Sequence, residues 1–147
     1  MILFLDSSFC VPLYVEEGES DLVTRTIKNW DGQVCISAFG EIEVTNAFRL
    51  RVFRGQIGEA EGAGLQQSFE DDLRTGALIV EPTTSVVLAR AKRLSLEHTA
   101  EVGTRSLDII HVAAALAAGA EQFASFDMKQ RTLAKRVGLK VTPRSLG

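Results

Sequence analysis

The chain has 147 residues, 46% of them hydrophobic and 24% charged, with a formal net charge of −3. That is enough for one globular domain spanning residues 1–147 with a real core. It counts against a stand-alone basic nucleic-acid binder, and no apolar run reaches the roughly 18 residues that cross a bilayer.

The apolar start is broken by Asp6 and has no basic residues before it, so it makes a poor signal peptide. The expected location is the cytoplasm, with no membrane association. Cys10 and Cys35 both lie in apolar surroundings and are expected as buried thiols rather than zinc ligands. Charge is unevenly spread. Residues 1–24 carry Asp6, Glu16, Glu17, Glu19 and Asp21 and no Lys or Arg, whereas residues 127–147 carry Lys129, Arg131, Lys135, Arg136, Lys140 and Arg144 against Asp127 alone. Arg49, Arg51 and Arg54 form another basic cluster, and Arg90, Lys92 and Arg93 a third. A local basic surface is compatible with an acidic total.

Taken in order, Ile2-Leu3-Phe4-Leu5 is an unbroken apolar run ended by Asp6-Ser7-Ser8, the pattern of a strand buried on both faces. Residues 7–15 read as a short helix interrupted by Pro12. Ser20 or Asp21 caps a helix over 22–30, whose Leu22, Val23, Ile27 and Trp30 recur at helical spacing. Asp31-Gly32 is a turn, and 33–36 a second strand. Ser37 caps a long helix to about residue 53, with Phe39, Ile42, Ala47, Phe48, Leu50 and Phe53 on its expected buried stripes. Residues 57–75 form a further helix stopped by Gly76, and 77–80 a third strand closed by Pro82. Thr83 or Thr84 opens a helix from 85 to about 97, followed by a polar loop over 98–104. The helix over 106–118 is apolar almost all round, the mark of a core helix, and Gly119 ends it. A fourth strand over 122–126, a helix over 128–137 and a short strand over 139–141 complete the chain. Strands separated by helices favour a parallel sheet covered on both faces, a three-layer α/β/α sandwich.

Four acids stand out in this frame. Asp6 follows the first strand and Asp127 the fourth. Asp108 lies in the first turn of the core helix, and Glu43 lies among Ile42, Val44, Ala47 and Phe48. Each has an ordinary alternative. Asp6 caps a helix; Asp127 forms a capping box with Gln130; Asp108 complements a helix dipole; Glu43 sits on a solvated flank. Together they carry more weight, because a parallel sheet puts the residues after its strands on one edge, where ligands bind. Glu41 is two positions from Glu43, roughly 200° around the helix, so only one of them faces a common cleft. Glu43, beside Asn46 and Ala47, suits a crowded polar site better. Four carboxylates in one cleft repel unless protonated or neutralised by metal, and oxygen ligands suit Mg²⁺ or Mn²⁺. His111, three positions after Asp108, is able to pair with it, but a satisfied core histidine is the preferred reading.

These residues resemble the PIN-domain ribonucleases, in particular the toxin subunits of bacterial VapBC-type toxin–antitoxin pairs. The resemblance rests on Phe4-Leu5-Asp6-Ser7-Ser8, on the block from Ile36 to Val44 that contains Glu43, on Arg105-Ser106-Leu107-Asp108-Ile109-Ile110-His111, and on Phe123-Ala124-Ser125-Phe126-Asp127. It implies Asp6, Glu43, Asp108 and Asp127 as a catalytic, metal-binding quartet for Mg²⁺ or Mn²⁺ that cleaves an RNA phosphodiester. It also implies a homodimer and a cognate antitoxin. Ser7, Asn46, Arg105 and Ser125 are auxiliary candidates. The alternative is a degenerate member that binds RNA or a protein partner without cutting. A haloacid-dehalogenase-type phosphatase needs an aspartate where Ser8 stands, and a receiver domain needs one where the third strand ends Val80-Glu81-Pro82.

Overall fold

The computed structural model describes residues 1–146. Five strands form one sheet: β1 (Ile2–Leu5), β2 (Gln33–Ser37), β3 (Ile79–Glu81), β4 (Gln122–Ala124) and β5 (Lys140–Thr142). Every pairing is parallel, and the order is β3-β2-β1-β4-β5. The chain moves outward from β1 to β3 on one side and from β4 to β5 on the other. Strand order therefore reverses between β1 and β4, where open parallel sheets form a crevice beyond their carboxyl ends.

The sheet separates two cores because alternate residues of a strand point to opposite faces. Leu3 and Leu5 of β1, Val34 and Ile36 of β2, and Ala124 of β4 join one core. It is covered by α1 (Ser7–Cys10, continued by a 3₁₀ turn, Val11–Leu13), α2 (Ser20–Lys28), α3 (Ala38–Phe53) and α4 (Glu59–Thr75). Phe4, Cys35 and Phe123 point the other way. They pack under α5 (Ser85–Leu94), α7 (Ser106–Ala118) and α8 (Met128–Arg136). The three-layer α/β/α sandwich is thus observed. The alanine run Ala113-Ala114-Ala115 of α7 is buried, and its small side chains let that helix lie close on the sheet.

Several elements depart from expectation. The loop anticipated over 98–104 is helical as far as Val102: α5 runs into a π-helical turn, Ser95–Thr99, and then α6 (Ala100–Val102). Glu97, Ala100 and Glu101 are good helix formers, and the chain leaves the helix only at Gly103, whose φ of +74° suits glycine. β4 stops at Ala124 rather than 126, because the Ser125 hydroxyl folds back to accept from the Asp127 N–H at 3.0 Å. Helix α3 buries Gly40, Val44 and Phe48, but Ile42 is 63% and Phe53 86% exposed, and Leu50 lies at the surface too. The expected stripe was drawn too wide, since only one side of α3 meets the sheet and α4. Gly62 keeps that contact close: a Cβ there would stand 2.7 Å from Val52.

Candidate functional site

Asp6 ends β1 and caps α1. Its backbone N–H donates to the Ala124 carbonyl of β4 at 2.9 Å, which pins it at the crevice. Asp6 is 4% exposed. Oδ2 accepts from the Ser8 N–H at 3.1 Å and Oδ1 from the Gln130 amide at 3.3 Å. Gln130 itself is fully buried. It accepts from the Ser125 hydroxyl at 2.7 Å and donates to the Asp108 carbonyl at 3.2 Å. One glutamine therefore ties together the ends of β1 and β4 and the start of α7.

Glu43 reaches the crevice from the second turn of α3, and His111 meets it from α7, with Nε2 2.5 Å from the Glu43 carboxylate. The other ring nitrogen, Nδ1, lies 2.6 Å from the Ser37 hydroxyl, which also accepts from the Gly40 N–H. Both nitrogens are engaged, so His111 holds Glu43 in place rather than offering a free lone pair. Burial opposes protonation of the imidazole, but the Glu43 hydrogen bond and the Asp6 and Asp108 charges outweigh it and raise the pKa above the ordinary value. Asp6, Glu43 and His111 bring ligand-type atoms within 4.8 Å of one another.

Asp108 stands in the first turn of α7, half-buried, and its carboxylate has no hydrogen-bond partner among the described residues. Burial, then the charges of Asp6 and Asp127, push its pKa up to about 6. Asp127 is exposed and caps α8, accepting from the Gln130 N–H at 2.7 Å. Asp108 and Asp127 share a cavity of about 290 Å³ with Arg105, Met128 and Lys129. A second cavity, about 370 Å³, opens beside Glu43 and includes Ser7, Ala47, Glu17, Glu19 and Arg51. A larger cleft of about 550 Å³, beside Val86, Arg90 and Leu116 of α5 and α7, contains no carboxylate and stands apart from these acids.

The four acids anticipated from sequence thus gather at one sheet edge, as two pairs with different surroundings. Of the auxiliary residues, Ser7 and Arg105 line the flanking cavities, and Ser125 is buried against Gln130 and Asp127. Asn46 is not brought to the cluster; it is exposed on α3. Sequence reasoning missed the part His111 plays with Glu43, and read Gln130 only as a capping partner of Asp127. Gln130 had a visible role as the Asp127 capping partner, which masked its side chain's reach to Asp6.

Four of the arginines in the basic clusters are engaged within the fold. Arg49 pairs with Glu59, Arg51 with Glu17 and Arg136 with Glu101. Arg131 is buried and donates to the Ser125 and Pro143 carbonyls. A continuous basic groove built from these arginines is therefore not what the fold presents. Among the described residues, no helix is long and apolar enough to cross a membrane.

A family model described as the PIN domain matches residues 3–136. No curated protein sequence matches the chain. Solved structures of similar fold include FitAcB from Neisseria gonorrhoeae (18% identity, 96% of each chain, TM-score 0.71). The sarcin-ricin loop cleaving toxin VapC20 of Mycobacterium tuberculosis is similar at 17% identity over 88% of this chain and 93% of that one, TM-score 0.67. VapBC2 from Rickettsia felis, bound to a promoter DNA fragment, is similar at 17% identity over 96% and 97%, TM-score 0.67.

Proposed function

The chain belongs to the PIN-domain family, and from that premise we propose that it is a metal-dependent endoribonuclease acting as the toxin of a toxin–antitoxin pair. The observation that supports the proposal is the placement of Asp6 and Glu43 together at the crevice between β1 and β4, with Asp108 and Asp127 lining a cavity beside it and Asp108, through burial and the charges of Asp6 and Asp127, pushed up to about 6. A crevice in which burial and the neighbouring carboxylates raise the proton affinity of Asp108 is short of positive charge, and hard oxygen donors fit Mg²⁺ or Mn²⁺. Asp6, Glu43, Asp108 and Asp127 would hold the ion. When bound, it supplies an activated water and stabilises charge on the phosphoryl group during in-line displacement.

The residues around it do the positioning. Ser8 and Gln130 fix the Asp6 carboxylate, so it does not turn away from the crevice. His111 orients Glu43 and keeps a proton on Nε2, facing the carboxylate. Asp108, without a hydrogen-bonding partner, is free to adjust to what binds.

The same reading includes a cognate antitoxin, as the toxin–antitoxin assemblies among the similar folds suggest, and a homodimer. Exposed Ile42 and Phe53 on α3 are apolar surface that such a partner covers. The test is incubation of the purified chain with labelled single-stranded RNA in Mg²⁺, in Mn²⁺ and in EDTA. Internal cleavage with either metal and none in EDTA is expected. Intact RNA in all three, together with no Mn²⁺ binding by calorimetry, would overturn the proposal in favour of a non-cutting PIN module.

A further inference from the structure

The two cavities flanking the acids differ in charge. Beside Glu43, the lining adds Glu17 and Glu19, and its one cation, Arg51, is already paired with Glu17 and bonded to the Ala47 carbonyl. A polyanion finds no free positive charge there. Beside Asp108 and Asp127, the lining holds Arg105 and Lys129, both exposed, and neither forms an ion pair or side-chain hydrogen bond among the described residues. Lys129 is the second residue of α8, and Arg105 directly precedes α7. They approach from two elements: the Lys129 ammonium lies 3.7 Å from where a Cβ on Gly103 would stand, so it leans over the loop that carries Arg105.

The other arginines placed beside the acids, Arg51 and Arg131, are tied to a carboxylate or to backbone carbonyls, which leaves Arg105 and Lys129 as the cations there without such a partner among the described residues. A cation beside an acidic metal centre also weakens metal binding through repulsion, so offsetting Asp108 and Asp127 is not enough to explain two of them. A phosphate is the group that takes two such donors, with the Arg fork and the Lys point charge both suited to it. Met128, 66% exposed on the same rim, offers apolar contact to a ribose or base edge.

We propose that Arg105 and Lys129 together hold a backbone phosphate of the RNA next to the one that reacts, so that the strand crosses the acids from the α7–α8 side. This rests on the ribonuclease reading above. It predicts an asymmetric footprint, with phosphate contacts on this side of the cleavage point and few on the Glu43 side.

The test uses the full chain and a fluorescein-labelled 12-nucleotide single-stranded RNA, followed by anisotropy in EDTA, where the strand stays intact, over a range of salt. The double variant Arg105→Gln/Lys129→Gln is compared with Lys140→Gln/Arg144→Gln, which line a separate cavity at the β5 edge. Both pairs are exposed, so folding is checked by melting and is expected to hold. The Arg105/Lys129 variant should bind RNA more weakly, with a salt slope shallower by about 0.7, the loss of one neutralised single-strand phosphate. Its Mn²⁺ affinity, by calorimetry, should be unchanged or higher. Equal binding and equal slope in wild type and this variant, or the same loss in the β5-edge control, overturns the clamp while leaving the nuclease reading intact. A wild-type chain that neither binds nor cuts RNA overturns both.

Discussion

The acidic crevice has two halves that are built differently. On the β1–α3 half, Asp6 is buried with two hydrogen-bond donors directed at its carboxylate, and Glu43 is held by a histidine that is itself held by Ser37. On the α7–α8 half, the Asp108 carboxylate has no hydrogen-bond partner among the described residues and the Asp127 carboxylate faces solvent with its capping bond. The first half is wired to the core and keeps its geometry whatever is bound. The second is set on helix starts and open to water. Rigid placement on one side and adjustable charge on the other is what a site needs if it must fix an ion yet accept a bulky, flexible polymer.

Removing charge from the rigid half should have the largest effect. Asp6→Asn keeps the volume and the capping oxygen, so the fold should survive, but RNA cleavage should fall to the level of the EDTA control. Wild-type rates with normal Mn²⁺ affinity would remove Asp6 from the site. Next in size is His111→Ala. It leaves Glu43 unheld and should weaken Mn²⁺ binding about 10–100-fold, the usual cost of losing a group that orients a ligand; calorimetry at fixed pH reads this directly.

Gln130→Ala tests the wiring through stability rather than chemistry. It strands the buried Ser125 hydroxyl and one oxygen of Asp6, a loss of about 1–3 kcal/mol by urea unfolding. Asp127→Asn on the open half should cost almost nothing in the same assay, since Asn caps a helix about as well as Asp. Its Mn²⁺ affinity should still fall. A large stability loss in Asp127→Asn would erase the distinction between the halves.

The smallest effect expected is on pH dependence without metal. Asp108 titrates at about 6 in the folded chain against 3.8 for an ordinary aspartate. In that window the folded chain binds a proton that the unfolded chain has released, so stability falls as pH rises. The raised His111 pKa acts in the same direction, its contribution being lost as pH climbs above 6.5 through the folded value. In EDTA, melting temperature should therefore drop from pH 5 to pH 8. Asp108→Asn should flatten the lower part of that drop, and saturating Mg²⁺ should reverse it. A flat profile in EDTA would show that the acids do not crowd one another.

What could be read from sequence divides along a physical line. The strand Ile2–Leu5 announces itself because burial on both faces demands consecutive apolar residues, and residues after parallel strands must share an edge. Asp6 and Asp127 were legible for that reason, and Asp108 and Glu43 followed from their apolar neighbours. Contacts through space carry no such local mark. Nothing near Gln130 shows that its amide reaches Asp6, and nothing near His111 shows that Glu43, 68 residues earlier, is its partner. The exposure of Ile42 and Phe53 was misjudged because helical spacing tells which residues share a face, not whether a neighbour arrives to cover it. Arg49 and Arg51 read as a basic patch until Glu59 and Glu17 are seen across from them.

The bond from Gln130 to Asp6 joins residues 124 positions apart. During synthesis a chain emerges from its amino end at about 5–20 residues per second. By the time Asp108 has been made, all the acids but Asp127 exist, yet β4 and α8 have not yet arrived to lock Asp6 toward the crevice. A chain in which β4 and α8 have not yet folded therefore lacks both Asp127 and the amide that holds Asp6 toward the crevice, so the acidic cluster is completed only when those elements arrive.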